Sequence, residues 1–369
     1  MAKIGIIHNR IRWGGSSAVF ANVLQALQEG HRLTVITEDN IDIRKVNQYY
    51  NTEVEDVRVI NLRYLRYVRQ KGSFRYLGSS VLSRLTDISR KDRDLVINTS
   101  SDIKVRGPSI TYLHGPYQLN NRKIANRNHS GMRKVYFDVC NLIESKEENQ
   151  PKYLANSKWT SENTKEMLYE EPEVIYPPVY TSGVDQKDWS DKEERIITVG
   201  RVSPEKNTIR NIEIMEEVNK RGYSIDYQIV GPLNRSKDKY TNRVIEKAEE
   251  MEFVHIEGKV SRKKLSSMMS QVKYGLHGHD CEHFGIIVAE LISHGVIPFI
   301  PNKGGQKEIV NYCQKVTYKS KKDAVEKIVN VIRKSDLTKE IKRCFPKVEK
   351  NFGVKRFRNE ISTVVEKML

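Results

Sequence analysis

The chain has 369 residues, of which 38% are hydrophobic and 30% are charged. This length exceeds that of one ordinary hydrophobic core and predicts two domains of about 150–200 residues each. The composition excludes a disordered chain, and the net charge of +16 favours anionic partners such as nucleotides, nucleic acid or acidic lipid surfaces. The four cysteines form no CxxC pair, which argues against a redox or metal motif and suits a reducing compartment.

The sequence shows no pattern typical of export or of a membrane span. The apolar run within Met1–His8 is too short for a signal peptide, and the most apolar stretch, 285–301, is interrupted by Glu290 and His294. We therefore expect a cytoplasmic protein, or one attached peripherally to the cytoplasmic face of a membrane.

Short apolar runs alternate with helical patterns along the first half of the chain. Lys3–His8 is predicted to be a buried strand, Ser16–Glu29 a helix and Arg32–Thr37 the next strand. A β-α-β unit with this spacing is typical of a parallel sheet. The same pattern predicts further strands at Val57–Leu62, Asp94–Thr99, Ser109–His114, Tyr153–Asn156 and Val174–Tyr176.

A second α/β series follows a polar stretch, 181–194, which we interpret as a linker between domains. The series begins with a strand at Arg195–Gly200 and a helix at Asn207–Lys220. Later strands are predicted at Ser224–Val230, Val254–Gly258, Tyr274–His277 and Val296–Ile300. The pattern predicts two Rossmann-like domains, 1–180 and 195–351, and a final helix at Phe352–Leu369.

A glycine pair follows the first strand, in Trp13-Gly-Gly-Ser-Ser17. Gly14 and Gly15 allow the backbone to approach a ligand, and the N-terminus of the next helix offers N–H groups to an anion or a sugar hydroxyl. A tight turn with a helix cap explains the same residues. The GxGxxG fingerprint is missing, so a nicotinamide cofactor is not indicated.

A histidine ends another strand of the first half, in Leu113-His-Gly-Pro116. In an α/β protein, a side chain at the carboxyl end of a strand faces the ligand crevice. His114 can there hydrogen-bond a sugar hydroxyl or a developing charge. A purely structural histidine is the alternative.

Two cations follow the first strand of the second half, in Gly200-Arg-Val-Ser-Pro-Glu-Lys206. Arg201 and Lys206 can neutralise a diphosphate leaving group without a metal ion. A solvated basic loop is the alternative. The acidic triplet Asp92-Arg-Asp94 matches the DxD pattern of metal-dependent transferases, but it precedes a strand and is interpreted as a solvated turn.

Two carboxylates bracket the segment Glu282 to Glu290, in which Glu282 precedes a helix that carries Glu290. On a regular helix this spacing places them about two turns apart, so they can serve different parts of one elongated ligand. Glu282 can reach a hexose, and Glu290 can accept hydrogen bonds from the hydroxyls of a ribose. Two surface glutamates are the alternative. The amides at the helix start can hold phosphate oxygens. The residues predicted to contact this ligand between the two carboxylates are His283, Phe284, Gly285, Ile286 and Ile287.

These features together resemble the retaining glycosyltransferases of family four. The resemblance rests on the ordered set Gly14-Gly15, Ala155-Asn-Ser-Lys-Trp-Thr160, Val174-Ile-Tyr-Pro-Pro178, Gly200-Arg201…Lys206, Glu282…Glu290 and Gly304-Gly305…Glu308. It implies the GT-B fold, in which two domains face a cleft and the helix at 352–369 returns to the N-terminal domain.

The resemblance also implies roles for named residues. Arg201 and Lys206 would contact the diphosphate, Gly200 and the Glu282–Glu290 segment the rest of a nucleotide-sugar donor, and His114 the transferred sugar. Transfer would proceed with retention and would need neither a metal nor another cofactor.

The chain departs from the common family pattern at two positions. It has Glu282-His283-Phe-Gly where many members have Glu-Gly-Phe-Gly, and Asn207 where many have glycine. The histidine form resembles the α-1,2-mannosyltransferases that extend lipid-linked oligosaccharides, which favours GDP-mannose as the donor. A soluble transferase that uses a UDP-sugar to make a small glycoside or a polysaccharide remains an alternative.

Cations cluster with aromatic residues between Arg58 and Tyr76, and a second basic stretch runs from Asn121 to Lys134. In a lipid-linked pathway they would bind anionic headgroups or the pyrophosphate of the acceptor. The pattern also suits a non-catalytic protein that binds single-stranded nucleic acid, or a solvated helix face. The intact acidic and basic motifs argue against nucleic acid as a partner. The residues assigned to acceptor or membrane are Arg63, Arg66, Arg69, Arg122 and Lys123.

Overall fold

The computed structural model divides into two compact units, Met1–Pro178 together with Val354–Leu369, and Val179–Gly353. Both are α/β units built on parallel sheets. The structure describes residues 1–65, 74–88, 93–100, 105, 107–116, 130–144, 151–181, 187–233 and 239–369.

A parallel sheet forms the centre of the first unit, with seven strands among the described residues. Their order is β3-β2-β1-β4-β5-β6-β7, so the direction of strand addition reverses between β1 and β4. The central strands are buried on both faces, which explains their continuous apolar runs. The strands are β1 Lys3–Ile7, β2 Arg32–Thr37, β3 Arg58–Asn61, β4 Leu95–Asn98, β5 Ser109–Leu113, β6 Lys152–Ala155 and β7 Glu173–Val174.

Helices connect these strands and close the first unit. Asp42 accepts hydrogen bonds from the first amides of α2, and Ser157 does the same at the start of α5, because short polar side chains satisfy N–H groups that lack helical partners. The helices are α1 Gly15–Leu27, α2 Ile43–Tyr50, α3 Arg75–Ile88, α4 Gly131–Ile143 and α5 Lys158–Leu168.

A second parallel sheet forms the centre of the other unit. Its six strands in the described chain have the order β10-β9-β8-β11-β12-β13, with the reversal between β8 and β11. The strands are β8 Glu193–Val199, β9 Asp226–Val230, β10 Val254–Gly258, β11 Val272–Leu276, β12 Ile297–Pro301 and β13 Thr317–Tyr318. The helices are α6 Thr208–Lys220, α7 Lys239–Glu249, α8 Arg262–Gln271, α9 Ile286–Ser293, α10 Gln306–Ile309, α11 Lys321–Arg333, α12 Ser335–Cys344 and α13 Val348–Phe352.

The last helix, α14 Val354–Met368, returns to the first unit and packs against α1. Its buried residues, which include Phe357 and Val365, join the same hydrophobic core as the residues of α1. Arg358 Nε also donates to Asn22 Oδ1 at 2.9 Å. The α/β prediction of two parallel-sheet domains and a returning C-terminal helix is confirmed.

The element bounds differ from the predicted ones in small ways. The strand after the proposed linker begins at Glu193, and the final helix begins at Val354. The edge strand Thr317–Tyr318 was not predicted, because two residues are too short for an alternating pattern to register. None of the helices in the described part of the chain is long and apolar enough to cross a bilayer.

Candidate active site

The reversal between β8 and β11 identifies where the second sheet can bind a ligand. In an open parallel sheet, loops diverge at such a switch point and leave a crevice at the carboxyl ends of the strands. Lys206 lies in the loop after β8, and His277 and Glu282 lie in the loop after β11. The topology therefore brings three ionisable side chains from distant parts of the sequence to one edge of the sheet.

Glu282 is the centre of this group. Its Oε2 atom lies 2.6 Å from Lys206 Nζ and 3.3 Å from His277 Nε2. The side chains of Glu282 and Lys206 are 22% and 24% exposed, whereas His277 is buried. Lys206 and Glu282 therefore form a partly exposed, charge-assisted hydrogen bond, and the buried His277 also contacts the Glu282 carboxylate.

The protonation states of this group follow from its contacts. Burial would raise the pKa of Glu282, but the His277 hydrogen bond and the charge of Lys206 hold that pKa well below its usual value. Burial lowers the pKa of His277, so its ring is neutral and donates through Nε2. Glu282 is therefore an anion paired with the Lys206 side chain. This state suits ligand binding and does not suit proton transfer.

Glycines let the loops around Glu282 approach one another at backbone distance. A Cβ on Gly278 would lie 2.4 Å from the carbonyl oxygen of Lys206, and a Cβ on Gly304 would lie 2.3 Å from that of Glu282. The neighbouring Gly305 N–H donates to the same Glu282 oxygen at 2.8 Å. The glycine turn after β12 thus fixes the backbone of Glu282.

Gln306 holds these loops together from inside. Its side chain is fully buried, and Nε2 donates to the carbonyl oxygens of His279 at 2.9 Å and Lys303 at 3.1 Å. It thereby joins the loop after β11 to the loop after β12. Gln306 is a positioning residue for the segment that carries Glu282.

The departure from glycine at position 207 has a structural reason. Asn207 has φ +50, in the left-handed region that glycine and asparagine tolerate best. Its Nδ2 donates to Gly278 O at 2.8 Å, a contact that glycine cannot make. Arg210 forms a two-pronged pair with Asp280, at 2.9 and 3.1 Å, and also contacts Gly278 O. These contacts fix the two loops that carry Lys206 and Glu282.

The segment after Glu282 opens helix α9. Gly285 has φ +98 and is the N-cap of that helix, so the amides predicted to hold phosphate do stand at a helix start. The Phe284 ring is buried and packs edge-on against Phe352, with ring centres 5.5 Å apart. His283 is partly buried, and burial lowers its pKa.

Ile286 and Ile287 form the first turn of α9 and are partly buried. The Ile287 side chain packs against the cluster that contains Ile197 and Leu291. The predicted contacts of these residues with a donor therefore concern their backbone amides more than their side chains.

Glu290 is buried on α9 and is held by an arginine that sequence reasoning missed. Arg262, at the start of α8, contacts both carboxylate oxygens of Glu290, at 2.7 and 3.2 Å. The two contacts therefore hold the carboxylate in one orientation. The structure does not bring Glu290 to Glu282, and the two stand at opposite ends of one segment.

Gly200 and Arg201 follow β8 directly. Gly200 lies in close backbone contact with Gly231, at the ends of two neighbouring strands. The Arg201 side chain is 65% exposed and pairs with Glu205 at 2.9 Å, whereas Lys206 contacts Glu282. The two residues predicted to bind phosphate, Arg201 and Lys206, thus form ion pairs with different glutamates.

A second polar group lies at the carboxyl edge of the first sheet. His8 is fully buried and stacks on Phe20, with Nδ1 3.0 Å from Thr99 Oγ1 and Nε2 3.2 Å from Ser17 Oγ. Burial, and then the nearby charge of His114, lowers the pKa of His8 to about 3. His8 is therefore a neutral link between β1 and the residue that follows β4.

His114 lies beside the same threonine. Its Nε2 is 2.7 Å from the carbonyl oxygen of Thr99, and its own carbonyl accepts from Asn156 Nδ2 at 2.8 Å. The side chain is partly buried. The loops after β4, β5 and β6 are thus joined at the position where the sequence placed a sugar-facing histidine.

The glycine pair of the first unit forms the start of α1. Gly14 is the extended N-cap and Gly15 the first helical residue, so the helix begins one residue before the predicted Ser16. Trp13 precedes them with φ +49 and contacts the Tyr49 and Tyr50 rings. An aromatic group therefore covers one side of this helix start.

One of the five residues assigned to acceptor or membrane contact is among the described residues. Arg63 is exposed and lies over the Tyr64 ring at 5.2 Å. The others lie outside the described residues, namely Arg66, Arg69, Arg122 and Lys123. Among the residues that are described, no group of three or more His, Cys, Asp or Glu side chains could hold a metal ion.

The residues that sequence reasoning missed are those that orient the predicted ones, namely His8, Asn207, Arg262, His277 and Gln306. One signal was available: His277 ends a predicted strand of the second half, as His114 does in the first. Arg262 and Gln306 carried no signal, because their partners lie about 30 residues away and only the fold brings them together.

The two sheets with reversals at β1/β4 and β8/β11, and the helix that returns to the first unit, define the GT-B class of fold. The solved structures that resemble the chain support this class. The Anabaena Alr3699/HepE structure in complex with UDP and glucose superposes with a TM-score of 0.69 at 14% identity and covers all of both chains. The WaaG glycosyltransferase of lipopolysaccharide biosynthesis has a TM-score of 0.62 at 15% identity, covering 98% of this chain and 95% of that one.

The sequence comparison shows a family likeness over part of the chain. Residues 183–344 match the family model described as glycosyl transferases group 1. This range, 162 of the 369 residues, is similar to that family, and it holds Lys206, Glu282 and Glu290. The predicted resemblance to GT-B glycosyltransferases is confirmed.

Two relatives share the name GDP-Man:Man(3)GlcNAc(2)-PP-Dol alpha-1,2-mannosyltransferase. The protein of Caenorhabditis elegans is 23% identical over 242 residues, which cover 58% of this chain and 51% of that protein. The protein of Dictyostelium discoideum is 27% identical over 176 residues, covering 42% of this chain and 34% of that protein. The chain spans about half the length, or less, of the relatives that it matches.

Proposed function

We propose that the protein is a glycosyltransferase that moves a hexose from a nucleotide-sugar to a glycan or lipid-linked saccharide at a membrane surface. The observation that carries this proposal is the Lys206–Glu282 pair at the switch point of the second sheet. A lysine beside an ionised glutamate suits a donor that combines a diphosphate, which a cation binds, with sugar hydroxyls, which a carboxylate accepts from.

GDP-mannose is the favoured donor, because two relatives that match part of the chain are named for a GDP-Man donor. Glu290, fixed by Arg262, would accept hydrogen bonds from the ribose hydroxyls. The amides at the start of α9 would hold phosphate oxygens. His114 would contact the transferred mannose.

The chemistry that we propose is transfer with retention and without a metal. The bond between the anomeric carbon and the diphosphate oxygen breaks, and the acceptor hydroxyl oxygen bonds to that carbon on the same face. The hydroxyl proton passes to the departing phosphate. Lys206 and Arg201 would neutralise the charge that develops there, so no protein carboxylate need act as base.

A UDP-sugar-dependent transferase is the second candidate, and one observation favours it. The similar Alr3699/HepE structure is described as a complex with UDP and glucose. The two candidates differ in the nucleotide base that the protein must bind, guanine in GDP-mannose or uracil in a UDP-sugar. Nucleotide binding therefore separates them.

The first experiment is a thermal-shift comparison of GDP-mannose, UDP-glucose and UDP-N-acetylglucosamine. A ligand present at 100 times its Kd stabilises the native state by about 2.7 kcal/mol, which a melting experiment resolves. We expect the largest shift with GDP-mannose. A larger melting shift with a UDP-sugar would overturn the assignment of GDP-mannose as the donor. Tight binding of single-stranded nucleic acid, with no melting shift from any donor, would overturn the proposal that the protein is a glycosyltransferase.

Transfer itself is tested with labelled GDP-mannose and lipid-linked oligosaccharide acceptors in detergent. We expect label to reach the acceptor, and the rate to be the same with and without EDTA. Loss of transfer on adding EDTA, restored by a divalent cation, would contradict metal independence. The anomeric configuration of the product, read by linkage-specific mannosidases, tests retention.

A further inference from the structure

Trp13, in the loop after β1, holds a backbone conformation that its side chain opposes. Its φ of +49 lies in the left-handed region, where a residue with a Cβ is strained and glycine is not. Tyr49 Oη donates to the Trp13 carbonyl oxygen at 3.2 Å, and Tyr50 Oη donates to that of Gly14 at 3.1 Å, so two tyrosines hold this turn in place. Glycine would form the same turn without strain. The tryptophan side chain therefore supplies something that the turn itself does not need.

The Trp13 ring is supported by its neighbours and is still open to solvent. It lies nearly parallel to the Tyr50 ring, with an interplanar angle of 16° and ring centres 6.3 Å apart, and the tilted Tyr49 ring is 4.9 Å away. Tyr50 is buried, whereas Trp13 is 42% exposed. The two ring contacts fix the orientation of the indole, so its exposed surface is a rigid aromatic face.

The position of this face in the fold identifies it as a ligand contact. The strand order of the first sheet reverses between β1 and β4, and Trp13 lies in the loop at the carboxyl end of β1. In an open parallel sheet, ligands bind at such a switch point. Tyr169 is also an exposed aromatic residue at positive φ, +57, but it lies in the turn that leads from α5 to the amino end of β7.

The groups beside the Trp13 ring fit a saccharide. A pyranose combines an apolar C–H face with a rim of hydroxyls, so it needs an aromatic surface next to N–H groups. Gly14, the N-cap of α1, has no side chain to occupy the first amides of that helix, so these amides can donate to hydroxyls. The exposed guanidinium of Arg12 offers further N–H groups. The residues proposed for the diphosphate and the ribose belong to the second unit, which leaves the acceptor as the saccharide for this face.

We propose that a pyranose of the acceptor saccharide stacks on the Trp13 indole, with its hydroxyls bonded to the amides at the start of α1 and to Arg12. This inference rests on the proposed function and deepens it, because it names the residue through which the first unit recognises a sugar acceptor. Trp13 is then a specificity-determining residue that binds the acceptor equally in the ground state and in the transition state.

The first test is transfer from GDP-mannose to a lipid-linked oligosaccharide, with the two substrates varied separately. Trp13→Gly removes the ring and suits the left-handed backbone. It should raise the acceptor KM about three- to tenfold and leave the donor KM and kcat unchanged, because one aromatic contact contributes a factor of about that size to affinity. Trp13→Phe, which keeps an aromatic ring, should recover most of the acceptor affinity.

A matched control is Tyr169→Gly, which also removes an exposed aromatic side chain at positive φ from the same unit. It should leave both KM values unchanged. Both glycine variants should melt within about 4 °C of the wild type, because relief of backbone strain offsets lost contacts. If Trp13 only supported the fold, Trp13→Gly would lower the melting temperature and leave the acceptor KM unchanged.

Binding without transfer is measured by tryptophan fluorescence during titration with a free mannose trisaccharide. The chain has three tryptophans, Trp13, Trp159 and Trp189. The emission change should persist in Trp159→Phe, which alters a partly buried tryptophan of the same unit, and should disappear in Trp13→Phe.

Three results would overturn the inference: an unchanged acceptor KM in Trp13→Gly, an equal rise in its donor KM, or loss of single-stranded nucleic acid binding in that variant in place of saccharide binding. The thermal shift with GDP-mannose reports separately on the proposed function. A donor shift with no effect of Trp13→Gly would sink this inference alone. A Trp13 fluorescence response to the trisaccharide with no donor shift would sink the enzyme and leave the saccharide site.

Discussion

Replacing Lys206 with alanine separates the role of its ammonium in stability from its role in transfer. The 2.6 Å contact joins two side chains that are about three-quarters shielded from solvent. A hydrogen bond between charged groups contributes about 1.5–3 kcal/mol, and partial screening puts the expected loss of unfolding free energy near 1.5 kcal/mol. Loss of a preorganised charge on the leaving group costs about 2.7–4 kcal/mol of activation free energy, a fall of about 10²–10³ in kcat.

The assay is initial-rate transfer at saturating donor, paired with urea denaturation of the same preparations. Lys206→Arg, which keeps the charge, should recover part of the rate. The control is Lys220→Ala, because Lys220 also pairs with a glutamate, Glu216, at 2.6 Å but on the exposed surface of α6. Its rate should equal that of the wild type.

Two outcomes would refute this reasoning. A normal kcat with a normal donor KM for Lys206→Ala would show that the ammonium acts in neither donor binding nor transfer. A normal kcat with a raised donor KM would limit Lys206 to ground-state binding, because only a contact made in the transition state lowers kcat.

The pH dependence of stability gives an independent reading of the same pair. Because the folded pKa of Glu282 lies below its unfolded value, its stabilising contribution is complete above the unfolded value of about 4.3 and is lost as the pH falls towards the folded pKa. The stability gap between wild type and Glu282→Gln should therefore be largest near neutral pH and should shrink below about pH 4. A gap that grows on acidification would show that the pKa is raised.

Three further substitutions test the supporting residues. Gly304→Ala should destabilise the protein by at least about 1–3 kcal/mol and weaken donor binding, because its Cβ would lie 2.3 Å from a backbone oxygen at φ +73; Gly30→Ala, with open space around it, should be tolerated in urea denaturation. Arg262→Ala should raise the donor Kd about three- to tenfold by calorimetry, whereas the neighbouring exposed Lys263→Ala should not. The pKa of His8 is about 3 in the folded protein, so the wild type should lose about 1.4 kcal/mol of unfolding free energy per pH unit between pH 6 and 4 through this residue. His8→Asn should remove that part of the loss. An unchanged slope would contradict a buried neutral ring.

The alternation of apolar runs and helical periods predicted most of the architecture. Arg32–Thr37 and Val254–Gly258 were predicted with the bounds that the structure has. A strand in a parallel sheet is buried on both faces, so its apolar run is nearly continuous and easy to find. The edge strand Thr317–Tyr318 has only two residues, and its identity depends on pairing with β12.

The candidate site was predictable where a side chain follows a strand in a recognisable motif. Lys206 and Glu282 were found in this way, because the carboxyl ends of parallel strands lie at one edge of the sheet. The residues that orient them were not. Gln306 reaches back to the carbonyl of His279, and no local pattern specifies which of many glutamines is buried in that position.

The sequence by itself determined the parallel-sheet class and the residue types at the ends of the strands, since both follow from local periodicity and local chemistry. Only the tertiary structure decided which side chains pair, namely Lys206 with Glu282 and Arg262 with Glu290. It also decided which face of α4 is exposed. Each depends on which loops the two switch points bring together, or on which helix face the core leaves uncovered. Those are long-range outcomes of packing, and a period of two or of 3.6 residues does not contain them.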